Sequence, residues 1–330
     1  MRVLVTGGCG YIGSALVPRL QESLAVGHLT VLDNLSDGSP ANLRAADLGR
    51  DDFTFIEGDV CEYGAVEAAM RDTDAVIHLA AITGAASTHD RAEETHAVNL
   101  GGTENVLKAA SKCGVDRIVF ASSCNNYGRA DEQELDETTV PDPINPYAET
   151  KVAGEELLDE HASEHDVETT ALRLSTVYGN APGIRFNLVV NAFVFRAMTG
   201  RPLTVYGDGS NWRPFIHVED AARAFADAVR HPDRWSEPVY NVGAPAENYR
   251  IDDVATTVDE ELDRSLDITY LEDRQPGPSY HVNFDRLQTT GFELQWTLAE
   301  GVRDLARHLG STGQDVGSDT TPTARGDTRD

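Results

Sequence analysis

The sequence predicts an α/β fold: a doubly wound parallel sheet with helices on both faces and a smaller C-terminal substrate-binding lobe. Strand-like and helix-like patterns alternate through the first half of the chain, as βαβ units require. The first such unit carries a glycine-rich turn, Thr6-Gly7-Gly8-Cys9-Gly10-Tyr11-Ile12-Gly13. The next strands end in acids or small residues, at the edge where sheets of this kind bind ligands.

Val3-Leu4-Val5 is a short buried strand, and Gly7, Gly10 and Gly13 recur at every third position before the helical run Ala15-Leu16-Val17. A strand, a glycine turn and a helix start form an anion site, because unpaired backbone N–H groups and the helix dipole face the ligand. Glycine is needed where a side chain would block the turn, a pyrophosphate, or the packing of helix on strand. Leu29 to Asn34 is a second strand, with Asp33 twenty residues past Gly13. A carboxylate there meets the ribose hydroxyls of an adenine dinucleotide and repels a 2′-phosphate, so NAD is expected rather than NADP. Together these features describe a Rossmann sheet.

Phe53 to Val60 is a third strand that ends in Gly58-Asp59-Val60, and Ala75 to Ala81 a fourth that ends in Leu79-Ala80-Ala81. His78 inside the fourth reads as a packed histidine. A helical stretch from about Thr88 to Lys112 contains Asn99, and Arg117 to Ser123 is the fifth strand. After a polar loop, Pro146 takes the first-turn position of another helix. Tyr147 and Lys151, four residues apart, project from one face of it, just after a strand that ends in Ser122-Ser123.

Glu168 to Leu174 is the sixth strand, and Tyr178 to Gly183 a break. Phe186 to Met198 reads as a helix and Leu203 to Gly209 as a strand and turn. Phe215 to Asp220 leads into an alanine-rich helix that ends near Arg230, and Val239 to Val242 is a further strand. The expected plan is an NAD-binding domain over 1–175, with 214–245 returning to it. The substrate-binding lobe takes 176–213 and 246–310, and 311–330 is expected to be a disordered acidic tail.

The 330 residues are enough for a sizeable core. They include 55 acidic against 27 basic side chains, a net charge of −28, and only Lys108, Lys112 and Lys151 are lysines. No basic stripe exists for a nucleic acid. No apolar run approaches the ~20 residues of a membrane span. A strand that starts at residue 2 leaves no room for a signal peptide, so a cytoplasmic location is expected. The acidity suits a halophilic, salt-rich cytoplasm, where a Debye length of ~3 Å near 1 M salt screens self-repulsion. Cys9, Cys61, Cys113 and Cys124 show no metal spacing and are expected to be free thiols, with no metal site.

Residues 3 to about 285 resemble the extended short-chain dehydrogenase/reductase family, specifically its NAD-dependent nucleotide-sugar epimerases and dehydratases of the UDP-glucose 4-epimerase type. The matching stretches are the glycine turn, Asp33-Asn34-Leu35-Ser36, Gly58-Asp59-Val60, His78-Leu79-Ala80-Ala81, Asn99 and Ser122-Ser123. Tyr127-Gly128, Tyr147 with Lys151, Arg173, Gly207-Asp208-Gly209, Arg213 to Val218 and Tyr240 to Gly243 continue the match. The resemblance implies that Tyr147 is the acid/base, that Ser123 hydrogen-bonds the reacting hydroxyl, and that Lys151 holds the nicotinamide ribose. It further implies cofactor contacts at Gly7, Gly10, Tyr11, Ile12, Gly13, Asp33, Asn34, Ser36, Asp59, Val60, Leu79, Ala80, Ala81 and Asn99, besides Tyr147 and Lys151. Substrate contacts are implied at Ser123, Thr176, Asn187, Val205, Arg213 and Arg274, the two arginines facing a nucleotide diphosphate. A phenol of pKa ~10 must be lowered by about three units, about 4 kcal/mol, to act as a base at neutral pH, and a nearby lysine ammonium would favour phenolate.

Family 4,6-dehydratases carry an Asp and a Glu after the Ser/Thr, where this chain has Cys124 and Asn125. Decarboxylating relatives carry a Glu at the position of Asn125. Cys124 could serve as a base if its thiol were shifted down; its alternative role is to fill a gap. The remaining chemistry needs only Tyr, Ser and NAD: oxidation at C4, rotation of the 4-keto intermediate, and return of the hydride to its other face. That describes a 4-epimerase. A 4-ketoreductase or dehydrogenase, an atypical dehydratase, and a non-catalytic NAD-binding regulator are the alternatives. The resemblance also implies a homodimer through the helices near Thr88–Lys112 and Pro146–His165.

Overall fold

The protein is described from a computed structural model, which covers residues 1–84, 87–129, 134–262, 266–271 and 277–311. In the first half, strands β1 (Arg2–Thr6), β2 (His28–Asp33), β3 (Phe53–Glu57), β4 (Ala75–His78), β5 (Arg117–Ser123) and β6 (Glu168–Leu174) alternate with helices. Those helices are α1 (Tyr11–Gln21), α2 (Tyr63–Ala69), α3 (Ala92–His96), α4 (Gly102–Cys113) and α5 (Pro146–Glu164). The second half contributes β7 (Thr176–Tyr178), α6 (Val189–Met198), β8 (Leu203–Tyr206), β9 (Trp212–His217), α7 (Val218–Arg230) and β10 (Val239–Val242). It closes with β11 (Asn248–Arg250), α8 (Ile251–Leu262), β12 (Ile268–Leu271), α9 (Asp285–Thr289) and α10 (Leu298–Ser311).

A seven-stranded parallel sheet in the order β10-β6-β5-β4-β1-β2-β3 forms the centre. Its strands are apolar because both faces are covered. Leu16 and Leu20 of α1 pack with Phe225 and Val229 of α7 on one face, and Val106 of α4 with Leu158 of α5 on the other. Each such side chain, fully buried, contributes roughly 1.5–3 kcal/mol. Local chemistry sets the helix ends. Gly114 at φ +71 closes α4 in the left-handed region. Asn145 accepts from the Ala148 N–H at 2.9 Å and caps α5 ahead of Pro146.

The strand order reverses between β1 and β4, which opens a crevice at their carboxyl ends. There Thr6 Oγ1 and His78 Nδ1 are 2.6 Å apart, and His78 Nε2 is 3.1 Å from Thr103 Oγ1. Burial pushes the His78 pKa down to about 3, so the ring is a neutral packing element. The predicted long helix is interrupted: a tight turn at His89–Arg91, then α3, then a π turn over Ala97–Gly101 before α4. π turns mark local re-aiming of side chains.

After β6 the chain leaves the sheet. Between β6 and the predicted break lies β7, ending at Tyr178; it pairs parallel with β9, and β11 adds antiparallel to give a three-stranded sheet. β9 therefore runs across the boundary expected at 213/214. β10 then re-enters the large sheet beside β6. A separate core fills the lobe, where Phe193 of α6, Val205 of β8, Val258 of α8 and Leu305 of α10 meet. Among the described residues no helix is long and apolar enough to cross a membrane.

Candidate active site

At the crevice the glycine turn is sterically obligatory. Gly7 stands at φ +72, where a Cβ would fall 2.6 Å from the Ala80 backbone nitrogen, and a Cβ on Gly13 would fall 2.5 Å from the Gly8 carbonyl oxygen. No side chain caps the start of α1 at Gly10, so its first-turn N–H groups remain for an anion. Asp33 ends β2 beside them, held by the N–H groups of Cys9 at 2.9 Å and Leu35 at 2.8 Å. Asn34 donates to Asp59 at 2.9 Å and accepts from the Ser36 N–H at 3.1 Å, joining the predicted adenosine-end residues beside Val60. Leu79, Ala80 and Ala81 are partly exposed at the end of β4. A backbone cradle, a ribose-range carboxylate and small residues along one strand end fit NAD.

Two predicted contacts also tie segments together through their side chains. Tyr11 donates its phenol to the Gly179 carbonyl and accepts from Asn191 Nδ2 at 3.1 Å, so it fastens the cradle to the lobe. Both amide hydrogens of Asn99 are taken, by the Ile82 carbonyl and Thr150 Oγ1 at 3.0 Å each, and its oxygen accepts from the Ile82 N–H at 2.7 Å. Asn99 shapes the loop after β4 from the π turn.

Ser123 ends β5, and its hydroxyl accepts from the Asn125 N–H at 3.2 Å and hydrogen-bonds the Tyr147 phenol. Lys151, 3% exposed, places Nζ 4.6 Å above the Phe120 ring and 5.8 Å from the Tyr147 ring centroid. Burial lowers its pKa to about 7, against the pull of Glu155. The Tyr147 phenol is raised by burial, and the groups that pull it down are Ser123 and the guanidinium of Arg185. The lowering expected from Lys151 is not seen: burial outweighs the pull of Ser123 and Arg185, and the phenol stays above its ordinary value.

Beneath the serine lies a buried polar network. Arg173 donates to Glu155 at 2.9 Å through Nε and at 2.6 Å through Nη2. Glu155 also accepts from Ser122 and, at 3.0 Å, from Asn126. Arg173 donates at 3.0 Å to Tyr127, which donates at 2.7 Å to Asn241. This network pins the turn after Ser123. Cys124, 1% exposed, points its thiol at the Arg173 carbonyl 3.2 Å away, and burial drives its pKa far up. A protonated thiol engaged inside the core cannot take a substrate proton, so Cys124 is a packing residue.

On the lobe side Arg213 stacks on the Tyr280 ring at 4.6 Å, and Thr176 is half-buried on β7. Asn187 is exposed in the loop before α6. Val205 departs from expectation: it is fully buried, because strand alternation turns Leu203 and Val205 into the lobe core and leaves Thr204 and Tyr206 outward. Arg274 and the tail from 312 lie outside the described residues. Among those described, no group of His, Cys, Asp and Glu has the makings of a metal site.

A dinucleotide cradle joined to a Ser–Tyr–Lys set at one sheet edge defines an enzyme of the short-chain dehydrogenase/reductase class. Residues 3–243 match the model of the NAD dependent epimerase/dehydratase family, and the chain belongs to that NAD-dependent enzyme family. It is similar to the low-salt glycan biosynthesis protein Agl12 of Haloferax volcanii, 29% identical over 92% of this chain and 96% of the relative. It is also similar to the dTDP-glucose 4,6-dehydratase of Streptomyces niveus, 30% identical over 92% of this chain and 90% of that one. Among solved structures it resembles Thermus thermophilus UDP-glucose 4-epimerase in complex with NAD, with 29% identity, a TM-score of 0.79, and coverage of 94% and 99%.

Proposed function

We propose that the protein is a nucleotide-sugar 4-epimerase. The observation that carries this reading is a Ser123–Tyr147–Lys151 set with no acid/base at the two positions after Ser123: Cys124 is buried and Asn125 does not ionise. Bound at the cradle, NAD supplies the hydride acceptor and donor for the C4 carbon. Tyr147 takes the proton of the C4 hydroxyl and later returns it. Ser123 bridges the phenol and the reacting oxygen, donating to the oxygen as it becomes a ketone. Lys151, with its pKa near neutrality, carries either proton state at little cost and holds charge beside the phenol. Arg213 grips the diphosphate of the substrate, which leaves the sugar free to turn between the two half-reactions.

The test is to incubate the protein with UDP-glucose, UDP-GlcNAc, and dTDP- and GDP-sugars and follow the products by NMR. Inversion at C4 is expected; a released 4-keto sugar would indicate a reductase or dehydrogenase, and loss of the C6 oxygen a dehydratase. Tyr147→Phe should lower turnover by roughly 10²–10⁴-fold while bound NAD, read by absorbance, stays at wild-type content. Appreciable residual turnover in that variant rejects Tyr147 as the acid/base. A cytoplasmic, salt-requiring homodimer completes the proposal, paired through a groove of about 400 Å³ between α4 and α5 that Leu107 and Leu157 help to line. Sedimentation in molar KCl that gives only monomer would refute the dimer.

A further inference from the structure

The segment between β7 and α6 belongs by sequence to the lobe, yet it lies on the first turn of α1. Its Gly183 N–H donates to Ser14 Oγ at 3.0 Å, and the Ser14 hydroxyl donates in turn to the Tyr11 carbonyl at 2.7 Å. A Cβ on Gly183 would fall 2.8 Å from the Gly10 carbonyl oxygen and 3.1 Å from Tyr11 Cα, so only glycine permits this approach. The Tyr11 phenol reaches the Gly179 carbonyl at the other end of the segment. Gly10 and Tyr11 begin the helix whose first-turn N–H groups form the anion cradle, so this segment is a wall of that cradle.

One side chain fixes the segment there. Asn191, on the first turn of α6, is fully buried on a helix face it shares with Val190 and Val194. An amide on an apolar face costs stability unless its polar atoms are partnered. Here they are. Its Oδ1 accepts from the Gly179 N–H at 2.9 Å, and its Nδ2 donates to the Arg185 carbonyl at 3.0 Å and to the Tyr11 hydroxyl at 3.1 Å. Gly179, Arg185 and the cradle residue Tyr11, 180 positions from Asn191, thus converge on one amide. Neither a carboxylate nor an apolar side chain of the same size offers two donors and an acceptor together. Asn187, the substrate contact expected from the sequence, follows just beyond Arg185 on the same segment.

We propose that Asn191 is a positioning residue that couples the two ligands of the crevice. It locks one segment against the cradle and ahead of α6, so the wall beside NAD and the loop beside the nucleotide sugar move as a single body. A ligand that orders this segment prepares it for the other. Nucleotide binding therefore tightens the hold on NAD, and NAD tightens the hold on the nucleotide by the same factor. The amide of Asn191 is fully engaged within the protein, so its effect on both ligands runs through Tyr11 and the segment. The inference rests on the reading of the substrate as a nucleotide sugar and holds whichever reaction follows.

Calorimetry on the holoenzyme establishes which of UDP, dTDP and GDP binds. Release of bound NAD is then followed on dilution into excess fluorescent etheno-NAD, with and without that nucleotide. In the wild-type protein the nucleotide should slow release about tenfold. In Asn191→Leu and in Tyr11→Phe, each close in size to the original, the ratio of the two rates should fall to near one. The double variant should add nothing to either single change. Hydrogen exchange over residues 179–187 should slow on nucleotide binding in the wild-type protein and not in the variants. A merely structural Asn191 would speed release equally in both conditions and leave the ratio unchanged, which overturns the inference. So does a nucleotide that binds the wild-type protein without slowing release, and in that case the nucleotide-sugar reading stands. Binding by none of the three nucleotides removes that reading and this inference with it.

Discussion

The sheet edge and the lobe facing it both bury polar side chains, but they satisfy them differently. Under the sheet edge, Arg173 and Glu155 are paired, and Ser122, Asn126, Tyr127 and Asn241 join the network, with only Asn126 Oδ1 left without a partner in it among the described residues. In the lobe, the Tyr178 hydroxyl and His217 Nε2 are buried with no hydrogen-bond partner among the described residues, although His217 stacks on Trp296 at 4.1 Å. Arg185 and Arg213 meet hydroxyls, carbonyls and rings rather than carboxylates. The difference follows from what each side recognises. A cofactor met through backbone N–H groups requires a rigid frame tied by a buried ion pair, whereas a variable substrate requires side chains whose donors stay open.

Breaking the satisfied side should have the largest effect. Glu155→Gln leaves the Arg173 charge buried without its counter-ion, so unfolding stability in urea should fall by about 3–5 kcal/mol. A loss below about 1 kcal/mol would show that the network tolerates an uncompensated charge and that the contrast between the two sides is overstated.

Glu247 sharpens the comparison from the lobe. It is 4% exposed and accepts from the Leu298 N–H at 3.1 Å, and burial, helped by Asp220 and Glu300, raises its pKa to about 7. Tyr249 hydrogen-bonds it and Tyr178 lies close by. The folded carboxyl keeps its proton to a higher pH than the unfolded one, near 4.3, so its contribution is complete below about pH 4 and fades as pH rises through 7. Glu247→Gln should remove that slope and gain up to about 3 kcal/mol at pH 8 relative to wild type, with little gain at pH 4. Parallel pH–stability curves for the two proteins would reject the assignment.

Arg213→Met gives the smallest effect on the free protein and separates frame from recognition most directly. Burial already lowers the Arg213 pKa, and the side chain has no carboxylate partner among the described residues, so thermal stability should change by less than about 0.5 kcal/mol. KM for the nucleotide sugar should rise roughly tenfold, about 1.4 kcal/mol, with kcat nearly unchanged. A large stability loss with unchanged KM would make Arg213 a structural residue.

Local chemistry made the sheet side legible. Gly7, Gly10, Gly13, the cap at Asn145-Pro146 and the strand limits of β5 and β6 depend on a few neighbouring residues, so their expectation and the observed structure agree. Glu155 was also within reach, since it follows Lys151 by one helical turn on the same face of α5. The lobe was less legible because its contacts join distant segments. β7 is only three residues long and exists through β9, nearly forty positions later. Val205 carried no local sign of facing inward, since a short strand fits either register until a core claims one side.

The sequence by itself determined the doubly wound sheet and the glycine turn with its carboxylate, because each follows from steric or periodic constraints within a short stretch, and its resemblance to the family pointed to the Ser123–Tyr147–Lys151 set. Only the tertiary structure decided how the segments around the crevice are joined. It buried Cys124 against Arg173, turned Tyr11 and Asn99 to holding segments together, and brought Arg185 across to Thr83. Those outcomes depend on electrostatics and packing between segments tens to over a hundred residues apart, and no local pattern encodes a distance that only the closed fold creates.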